Sequence, residues 1–336
     1  MSRIERKSHI THNHSVRPQW TQYGKKIKEI RINFNDFLNL LNLNFNKKEI
    51  KNLSKIYRNN KFSYVNPSLE QIDRYFYFFY NLVFNFQLTR AGTTSKYKIW
   101  ERGWSENYYR YLKYKKEKFL IPTYIRKNTF LRLNGNYIIP TSKDFEKNFF
   151  SIISYAVFLK FFKNINSIYE FGCGTGHNLI RLANIFPKKK LYGLDYSLFS
   201  QKILNLINLN YKNINSHYFN LLKPDYNFLL DKNAGVFTVG ALEQIGSNYA
   251  NFFKYLKKNK PSLVINFEPL DKLFSNDNLS DYLSKQYLLK RNYLKDYLTF
   301  LEKMENKNII KIIVKRRTFG CQTNEGYSFV IYKFLK

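Results

Sequence analysis

The stretch that decides the fold is Tyr169-Glu170-Phe171-Gly172-Cys173-Gly174-Thr175-Gly176, near the middle of the 336-residue chain. It overlaps an apolar segment, residues 167–171, that predicts a buried strand, and it runs into a helical pattern over residues 175–185. Glycines let the backbone turn tightly and approach a ligand, and free N–H groups at a helix start attract an anionic group. The stretch therefore predicts a nucleotide-type ligand site at the edge of an α/β sheet.

A carboxylate follows this loop at an informative distance. Asp195 ends the next predicted strand, 19 residues after Gly176. In a doubly wound sheet this position faces the ribose of a nucleotide ligand, and a carboxylate accepts from both ribose hydroxyls. The dinucleotide pattern needs a third glycine at position 177, where His177 stands, so the sequence disfavours NAD.

Outward from the loop, short apolar segments alternate with helical patterns as far as the end of the chain. The predicted strands are residues 167–171, 190–194, 216–221, 234–240, 262–267, 309–314 and 327–332. The predicted helices are residues 175–185, 198–209, 249–258 and one long helix over 279–304. This alternation predicts an α/β fold with a Rossmann-like, doubly wound, seven-stranded sheet.

The sequence before residue 145 has a different pattern. Helical patterns cover residues 37–43, 69–86 and 100–114, and Asn134-Gly135 between two apolar runs predicts a hairpin with a type I′ turn. A further helix over residues 143–162 leads into the first strand of the large sheet. We expect a mainly helical N-terminal domain at residues 1–145 that shapes the substrate site, and an α/β domain at residues 146–336.

Aromatic residues form a stripe along one of these helices. Trp100, Trp104, Tyr108 and Tyr111 recur at helical spacing, which favours packing onto the α/β domain and leaves stacking on a sugar or base as the alternative.

The glycine stretch resembles the first motif of class I S-adenosylmethionine-dependent methyltransferases, and residues 147–336 follow the order of elements in that family. The resemblance implies the cofactor S-adenosyl-L-methionine and a methyltransferase domain at residues 146–336. It implies that Glu170 and the loop hold the methionine part and that Asp195 holds the ribose. Asn220 stands where the family often has an acidic residue that contacts adenine. The implied cofactor-binding residues are Glu170, Gly172, Cys173, Gly174, Thr175, Gly176, Asp195, Tyr196, Asn220, Leu221 and Gly240.

Three side chains are candidates for the acceptor side of the reaction. The segment after the fourth strand resembles the part of the family that flanks the sulfonium, but Gln244 stands where a histidine is common. Since glutamine cannot act as a general base, Glu243 and Glu268 are the other candidates, with Glu268 at the end of the fifth strand. Polar residues at a helix start and an exposed loop carboxylate remain the alternative interpretations.

The positive charge of the chain bears on its partners. Lysine and arginine number 56 against 24 aspartate and glutamate residues, a formal net charge of +32. Clustered positive charge is typical of nucleic-acid binding. The excess here is divided about evenly between the residues before and after 145, which favours a solvated surface. Nucleic acid is therefore the less favoured partner.

The cysteines, the apolar runs and the histidines of the chain indicate its cellular compartment and whether it binds a metal. Cys173 and Cys321 are too few for a disulfide framework or a cysteine-based zinc site. No apolar run reaches the roughly 20 residues of a membrane helix, and the polar start lacks the apolar region of a secretory signal. We expect a cytoplasmic location and no transmembrane segment. His9, His12 and His14 lack acidic partners, so we expect a solvated tail and no metal site.

The leading hypothesis is an enzyme that methylates a small molecule or a glycan, most plausibly at a hydroxyl group. The chain also resembles bacterial methyltransferases that accompany surface-polysaccharide biosynthesis. An RNA methyltransferase is the alternative, although the Asn/Asp-Pro-Pro-aromatic segment of many base-methylating enzymes is absent after the fourth strand. A catalytically inactive binding module with the cofactor fold is the third hypothesis.

Overall fold

The computed structural model describes residues 28–122, 125 and 130–335. Its helices in these ranges are α1 (Phe34–Leu41), α2 (Lys47–Arg58), α3 (Leu69–Phe84), α4 (Thr94–Tyr114), α5 (Phe145–Phe161), α6 (His177–Ile185), α7 (Leu198–Asn208), α8 (Tyr249–Asn259), α9 (Leu279–Arg291) and α10 (Tyr297–Asn306). Its strands are β1 (Ile30–Arg31), β2 (Ser63–Val65), β3 (Leu131–Leu133), β4 (Asn136–Pro140), β5 (Ser167–Phe171), β6 (Lys190–Asp195), β7 (Ile214–Tyr218), β8 (Ala234–Val239), β9 (Leu263–Phe267), β10 (Ile310–Arg316), β11 (Phe319–Gly320) and β12 (Phe329–Phe334).

The large sheet has the strand order β10-β12-β9-β8-β5-β6-β7 in the described residues. The strands from β9 to β7 are parallel, and β12 runs antiparallel to both of its neighbours. The prediction of an α/β fold with a mainly parallel sheet is confirmed. The chain passes from β5 to β6 on one side and later to β8 on the other, so the glycine loop after β5 lies where the strand order reverses.

Strand β5 is buried on both faces, as its apolar sequence predicts. All five of its residues are buried. Ile168 packs into the core that contains α5, α6 and α7, whereas Tyr169 and Phe171 pack into the core that contains α8 and α10. Successive side chains of a strand point to opposite faces, so this single strand joins both helical layers.

The first core continues into the N-terminal part of the chain. The ring of Phe149 on α5 lies 5.0 Å from the ring of Phe62 and 4.9 Å from that of Phe319, measured between centroids. The expected domain boundary at residue 145 therefore separates segments that share one core.

The predicted hairpin at Asn134-Gly135 is confirmed. Asn134 and Gly135 have φ of 47° and 90°, and Leu131 pairs with Ile138 across the two strands. The hairpin belongs to a second, antiparallel sheet in the order β1-β2-β4-β3-β11. This sheet adds strands to a part of the chain for which the sequence indicates mainly helix, and β11 comes from the C-terminal part.

The expectation of one helix over residues 279–304 is wrong. The structure has α9 and α10, separated by a turn in which Asn292, Leu294 and Asp296 adopt positive φ. Left-handed residues cannot continue a right-handed helix. The turn buries Leu294 in the core beside α8.

A cluster of buried charges joins the hairpin to α9 and to the C-terminal part. Arg132 is fully buried and forms ion pairs with the buried carboxylates of Asp281 and Glu325. Arg317 bonds the same two carboxylates, and Oε1 of Glu325 accepts from the N–H of Gly135 at 2.7 Å. Burial opposes ionisation of Asp281, but Arg317, Ser275 and Arg132 hold its pKa at about 2.

The predicted histidine tail, metal binding and membrane helices can be compared with the described residues only. His9, His12 and His14 lie outside the described residues. Within the described ranges, no group of three or more histidine, cysteine or acidic side chains could hold a metal ion. The helices among those residues include none with the length and apolar character needed to cross a membrane.

We predict that Arg132→Ala lowers the free energy of unfolding by about 3 to 5 kcal/mol, because removing one partner leaves buried carboxylates with too little positive charge. Urea unfolding followed by circular dichroism measures the change. Arg74→Ala is the matched control, since Arg74 pairs with Glu70 on the exposed face of α3. Equal effects of the two variants would contradict a special role for the buried cluster.

Candidate active site

The glycine loop and the turn after β8 meet across the carboxyl ends of β5 and β8. Gly172, Gly174 and Gly176 have positive φ of 73°, 52° and 71°. At Gly172 a side chain is also excluded by space, since an added Cβ would lie 2.4 Å from the Cβ of Ala241. The close contact brings two turns together at the edge where open α/β sheets bind ligands.

Asp195 lies at the end of β6, beside the glycine loop, and is 4% exposed. Its Oδ2 accepts a hydrogen bond from the N–H of Gly174 at 2.9 Å, and its Oδ1 accepts one from the N–H of Ser197 at 2.9 Å. Burial raises the pKa of Asp195 to about 6, against the effect of these bonds. Each carboxylate oxygen has a second lone pair, so Asp195 can still accept from ligand hydroxyls.

Glu170 carries an oxygen that nothing in the described protein satisfies. Its Oε1 accepts from Nδ2 of Asn178 at 2.7 Å, whereas the buried Oε2 has no hydrogen-bond partner among the described residues. Burial raises the pKa of Glu170 to about 8, opposed by Asn178 and by the charge of Arg181. Because an unpaired buried carboxylate oxygen is costly, Oε2 marks a position for a donor group, above all a cationic one.

Helix α4 forms a wall over the loop. An added Cβ at Gly174 would lie 2.7 Å from Cζ2 of Trp104, so the indole lies directly on the glycine. Trp100 stacks on Trp104 with ring centroids 5.2 Å apart, and Tyr108 contacts Phe199 on α7 at 5.7 Å. The prediction that the aromatic stripe packs onto the α/β part is confirmed.

These elements enclose a pocket that collects most of the predicted site. The predicted residues that line it are Glu170, Gly172, Cys173, Gly174, Thr175, Asp195, Tyr196, Leu221, Gly240 and Gln244. Four predicted residues do not line it, namely Gly176, Asn220, Glu243 and Glu268. Other lining residues, which were not predicted to belong to the site, include Lys96, Tyr97, Phe150, His177, Asn178 and Tyr327.

Gly176 and Asn220 have partners within the protein. An added Cβ at Gly176 would lie 2.5 Å from Cδ2 of Leu204, so this glycine allows α7 to pack against the loop. The Oδ1 of Asn220 accepts from the N–H of Leu222 at 2.9 Å and from the hydroxyl of Tyr97 at 3.3 Å. The side-chain oxygen of Asn220 thus already accepts two hydrogen bonds, and a contact of this residue with adenine stays a prediction.

The structure corrects the acceptor-side role of Glu268. This residue is fully buried, and its Oε1 accepts from Oγ1 of Thr238 at 2.8 Å and from the N–H groups of Ala241 and Leu242 at 3.0 Å. Its Oε2 accepts from the N–H of Glu243 at 3.2 Å. Burial raises the pKa of Glu268 to about 8, and the charge of Glu243 acts in the same direction. Glu268 holds the turn after β8 from behind and does not face the pocket.

Gln244 is the predicted acceptor-side residue that does line the pocket. Its Oε1 accepts from Nε1 of Trp100 at 3.0 Å, and its Nε2 donates to Oε1 of Glu243 at 2.6 Å. Burial raises the pKa of Glu243 to about 7, opposed by the charge of Lys96. The Gln244 amide is therefore fixed at both ends, in an orientation set by α4 and by the neighbouring carboxyl group.

Lys96 is the charged residue among the lining residues that the sequence analysis missed. It lies on α4, lines the pocket and is 7% exposed. The signal was present, because Lys96, Trp100 and Trp104 follow one another at intervals of four residues and so share one face of the helix. Extending the aromatic stripe by one turn would have included the lysine.

The chain is similar to solved structures that include methyltransferases. The methyltransferase domain of bacterial CtHen1-C has 16% sequence identity and a TM-score of 0.41, over 55% of this chain and 97% of that chain. NcsB1, an O-methyltransferase from neocarzinostatin biosynthesis crystallised with S-adenosyl-L-homocysteine and 1,4-dihydroxy-2-naphthoic acid, has 12% identity and a TM-score of 0.39, over 57% and 58%. A pericyclic reaction enzyme has 12% identity and a TM-score of 0.38, over 52% and 44%.

The chain thus spans less than two thirds of the NcsB1 chain and of the pericyclic reaction enzyme. No family model and no curated protein matches the sequence. At these identities and TM-scores, the similarity carries no argument about the activity of this chain.

We predict that Glu170→Gln flattens the dependence of unfolding free energy on pH. The folded pKa of Glu170 is raised from 4.5 to about 8, so its contribution to stability is full below about pH 4.5 and is lost as pH rises through about 8. Glutamine does not titrate. Relative to the variant, the wild-type protein should lose up to about 4 kcal/mol between pH 5 and pH 8. Urea unfolding at both pH values measures this, and parallel profiles would contradict it.

We predict that Glu268→Gln lowers the free energy of unfolding by about 1 to 3 kcal/mol, because the amide nitrogen that replaces Oε2 cannot accept from the N–H of Glu243. If Glu268 contacted only the methyl acceptor, its replacement by glutamine would leave the stability of the protein unchanged. Chemical unfolding of the variant therefore separates the two roles. An unchanged midpoint and slope would return Glu268 to the acceptor side.

Proposed function

We propose that this protein is an S-adenosylmethionine-dependent methyltransferase that acts on a hydroxyl group of a small molecule or glycan. The observation that carries the proposal is the unpaired Oε2 of Glu170, which lies with Asp195 and the glycine loop in a single pocket. These groups offer a carboxylate for a cationic donor, a carboxylate for hydroxyls and a backbone open to close approach. The sequence motif, which contains Glu170 and the same glycine loop, supports the same cofactor.

The residues present fit S-adenosylmethionine. The unsatisfied Glu170 oxygen suits the α-amino group of the methionine part, since an ammonium donor would both fill the missing hydrogen bond and favour the ionised carboxylate. The remaining lone pairs of Asp195 suit the ribose hydroxyls. His177 occupies the place of the third glycine that dinucleotide binding uses, which weighs against NAD.

When bound, S-adenosylmethionine supplies an electrophilic methyl group on a sulfonium, which is already a good leaving group. The protein then has mainly to position the acceptor and to exclude water. Trp100 and Trp104 cover the loop with apolar surface. Glu268 fixes the backbone at Ala241 and Leu242, which presents Gln244 to the pocket. The Gln244 amide can orient an acceptor hydroxyl but cannot take its proton.

The charge of the pocket supports a small acceptor. Among the described residues that line it, Lys96 is the one lysine and there is no arginine. Binding of a polynucleotide needs several cations along the phosphate track, which this lining does not offer. The RNA methyltransferase hypothesis therefore has less support, and the glycan class rests on the resemblance to methyltransferases of surface-polysaccharide biosynthesis. The inactive binding module would share the same cofactor pocket and would differ only in turnover.

We predict that the protein binds S-adenosylmethionine and S-adenosylhomocysteine, and binds NAD much more weakly. Asp195→Ala should weaken S-adenosylhomocysteine binding by about 1.5 to 3 kcal/mol, the usual effect of losing hydrogen bonds to a charged acceptor. Isothermal titration calorimetry measures both. Ser216→Ala is the matched control, since its hydroxyl lies on β7 and bonds Asn205 on α7. Binding of NAD alone, or unchanged affinity in the folded Asp195 variant, would overturn the assignment.

A further inference from the structure

Lys96 lines the pocket with an ammonium group that has no hydrogen-bond partner among the described residues. Its side chain is buried, and its Nζ lies 5.2 Å from the ring centroid of Trp100 and 5.9 Å from that of Tyr293. Across the part of the chain that the structure describes, no hydrogen bond or ion pair is made to Nζ. Aromatic faces attract a cation but do not replace a hydrogen-bond acceptor. The position of Nζ is therefore suited to an acceptor that a ligand brings.

The backbone fixes Lys96 in this place. The N–H of Gly92 donates to the backbone oxygen of Gln244 at 2.9 Å, and the N–H of Ala91 donates to that of Arg291 at 2.8 Å. These two bonds tie the start of α4 to the turn after β8 and to the end of α9. These bonds therefore place Lys96 on the Gln244 side of the pocket. Glu170 belongs to β5 and faces α6.

The charged groups around Lys96 carry an excess of positive charge that one bound anion would balance. Arg291 is a second cation close by, because its guanidinium lies 4.9 Å from the centroid of the same Tyr293 ring that Lys96 faces. Glu243 is the opposing carboxyl group, already bonded to Gln244. Burial and the charge of Arg291 lower the pKa of Lys96 to about 8, while Glu243 opposes this. Two cations face one carboxylate, so a bound anion would offset the repulsion between them and supply the missing acceptor.

We propose that Lys96 binds the carboxylate of an acidic acceptor, so that the acceptor is a small hydroxy acid and not a neutral alcohol. This inference rests on the proposed methyltransferase function and names the substrate class of the same pocket. Trp100, which lines the pocket beside the ammonium, offers a flat ring that suits the body of a sugar acid or an aromatic acid. The carboxylate bound at Lys96 places the hydroxyl of such a molecule beside Gln244.

The experiment compares paired probes on protein saturated with S-adenosylhomocysteine. The acids are 4-hydroxybenzoate and D-glucuronate, and their neutral counterparts are 4-hydroxybenzamide and D-glucose. Ligand-observed NMR titration gives the affinities for wild-type protein, Lys96→Met, Lys96→Gln and Lys98→Met. Lys98 is exposed on the same helix, so its variant removes the same charge away from the pocket. Thermal unfolding of each variant confirms that it is folded.

The wild-type protein should bind at least one acid about tenfold or more tightly than its neutral counterpart, as for a charge-assisted hydrogen bond. That preference should disappear in a folded Lys96 variant and persist in Lys98→Met. The pair that shows it distinguishes an aromatic acid from a sugar acid. A wild-type protein without preference for either acid, or a folded Lys96 variant that retains it, overturns the proposal.

The cofactor has a carboxylate of its own, and a second titration separates it from that of the acceptor. S-adenosylhomocysteine is compared with 5′-methylthioadenosine, which lacks the amino acid group. If Lys96→Met weakens only S-adenosylhomocysteine, Lys96 holds the cofactor and the acceptor assignment falls. If the wild-type protein binds neither compound, the methyltransferase function fails, and the preference for acids in cofactor-free protein then tests Lys96 by itself.

Discussion

The hydrogen bond from the Gly174 N–H to Asp195 is the contact on which the architecture of the pocket depends. It ties the glycine loop after β5 to the end of β6, and the absent side chain at Gly172 lets the turn after β8 close on the other side. The carboxyl ends of β5, β6 and β8 are thereby held close together. A side chain at Gly172 would push the turn after β8 away from the glycine loop. The pocket therefore depends on backbone atoms alone at this junction.

Buried acids, satisfied in different ways, give the pocket its polarity. Asp195 and Glu268 accept from backbone N–H groups, so each is held without a basic side chain. Glu170 lacks a donor for one oxygen, and Lys96 lacks an acceptor for its ammonium within the described protein. The chain has a large positive charge, yet its pocket contains one lysine and one buried acid whose Oε2 has no partner among the described residues. Such a pocket favours a ligand set with a cation beside β5 and an anion beside α4.

The sequence predicted those parts of the molecule that local patterns determine. The apolar run at residues 167–171 coincides with β5, and the positive φ at Asn134 and Gly135 follows from the type I′ turn. Helix α2 was missed although Asn46 and Glu49 form a capping box, a signal of helix start that needs no periodicity. The role of Glu268 could not be predicted, because it depends on the end of β9 meeting a turn that is distant in sequence. The break after α9 does have a local signal that was missed, because Asn292 takes the left-handed conformation at the end of the helix, where asparagine is favoured.

Helix α4 shows why the glycine motif cannot be interpreted through the cofactor alone. The Trp104 ring lies where a side chain at position 174 would be, so Gly174 is required by protein packing as well as by approach of a ligand. The same helix carries Lys96 and Trp100 to the turn after β8. The glycine loop is thus covered by a helix from the part of the chain before residue 145. The proposed division of roles follows from this arrangement, because the sheet contributes the loop and Asp195 to the pocket and α4 contributes Lys96 and Trp100.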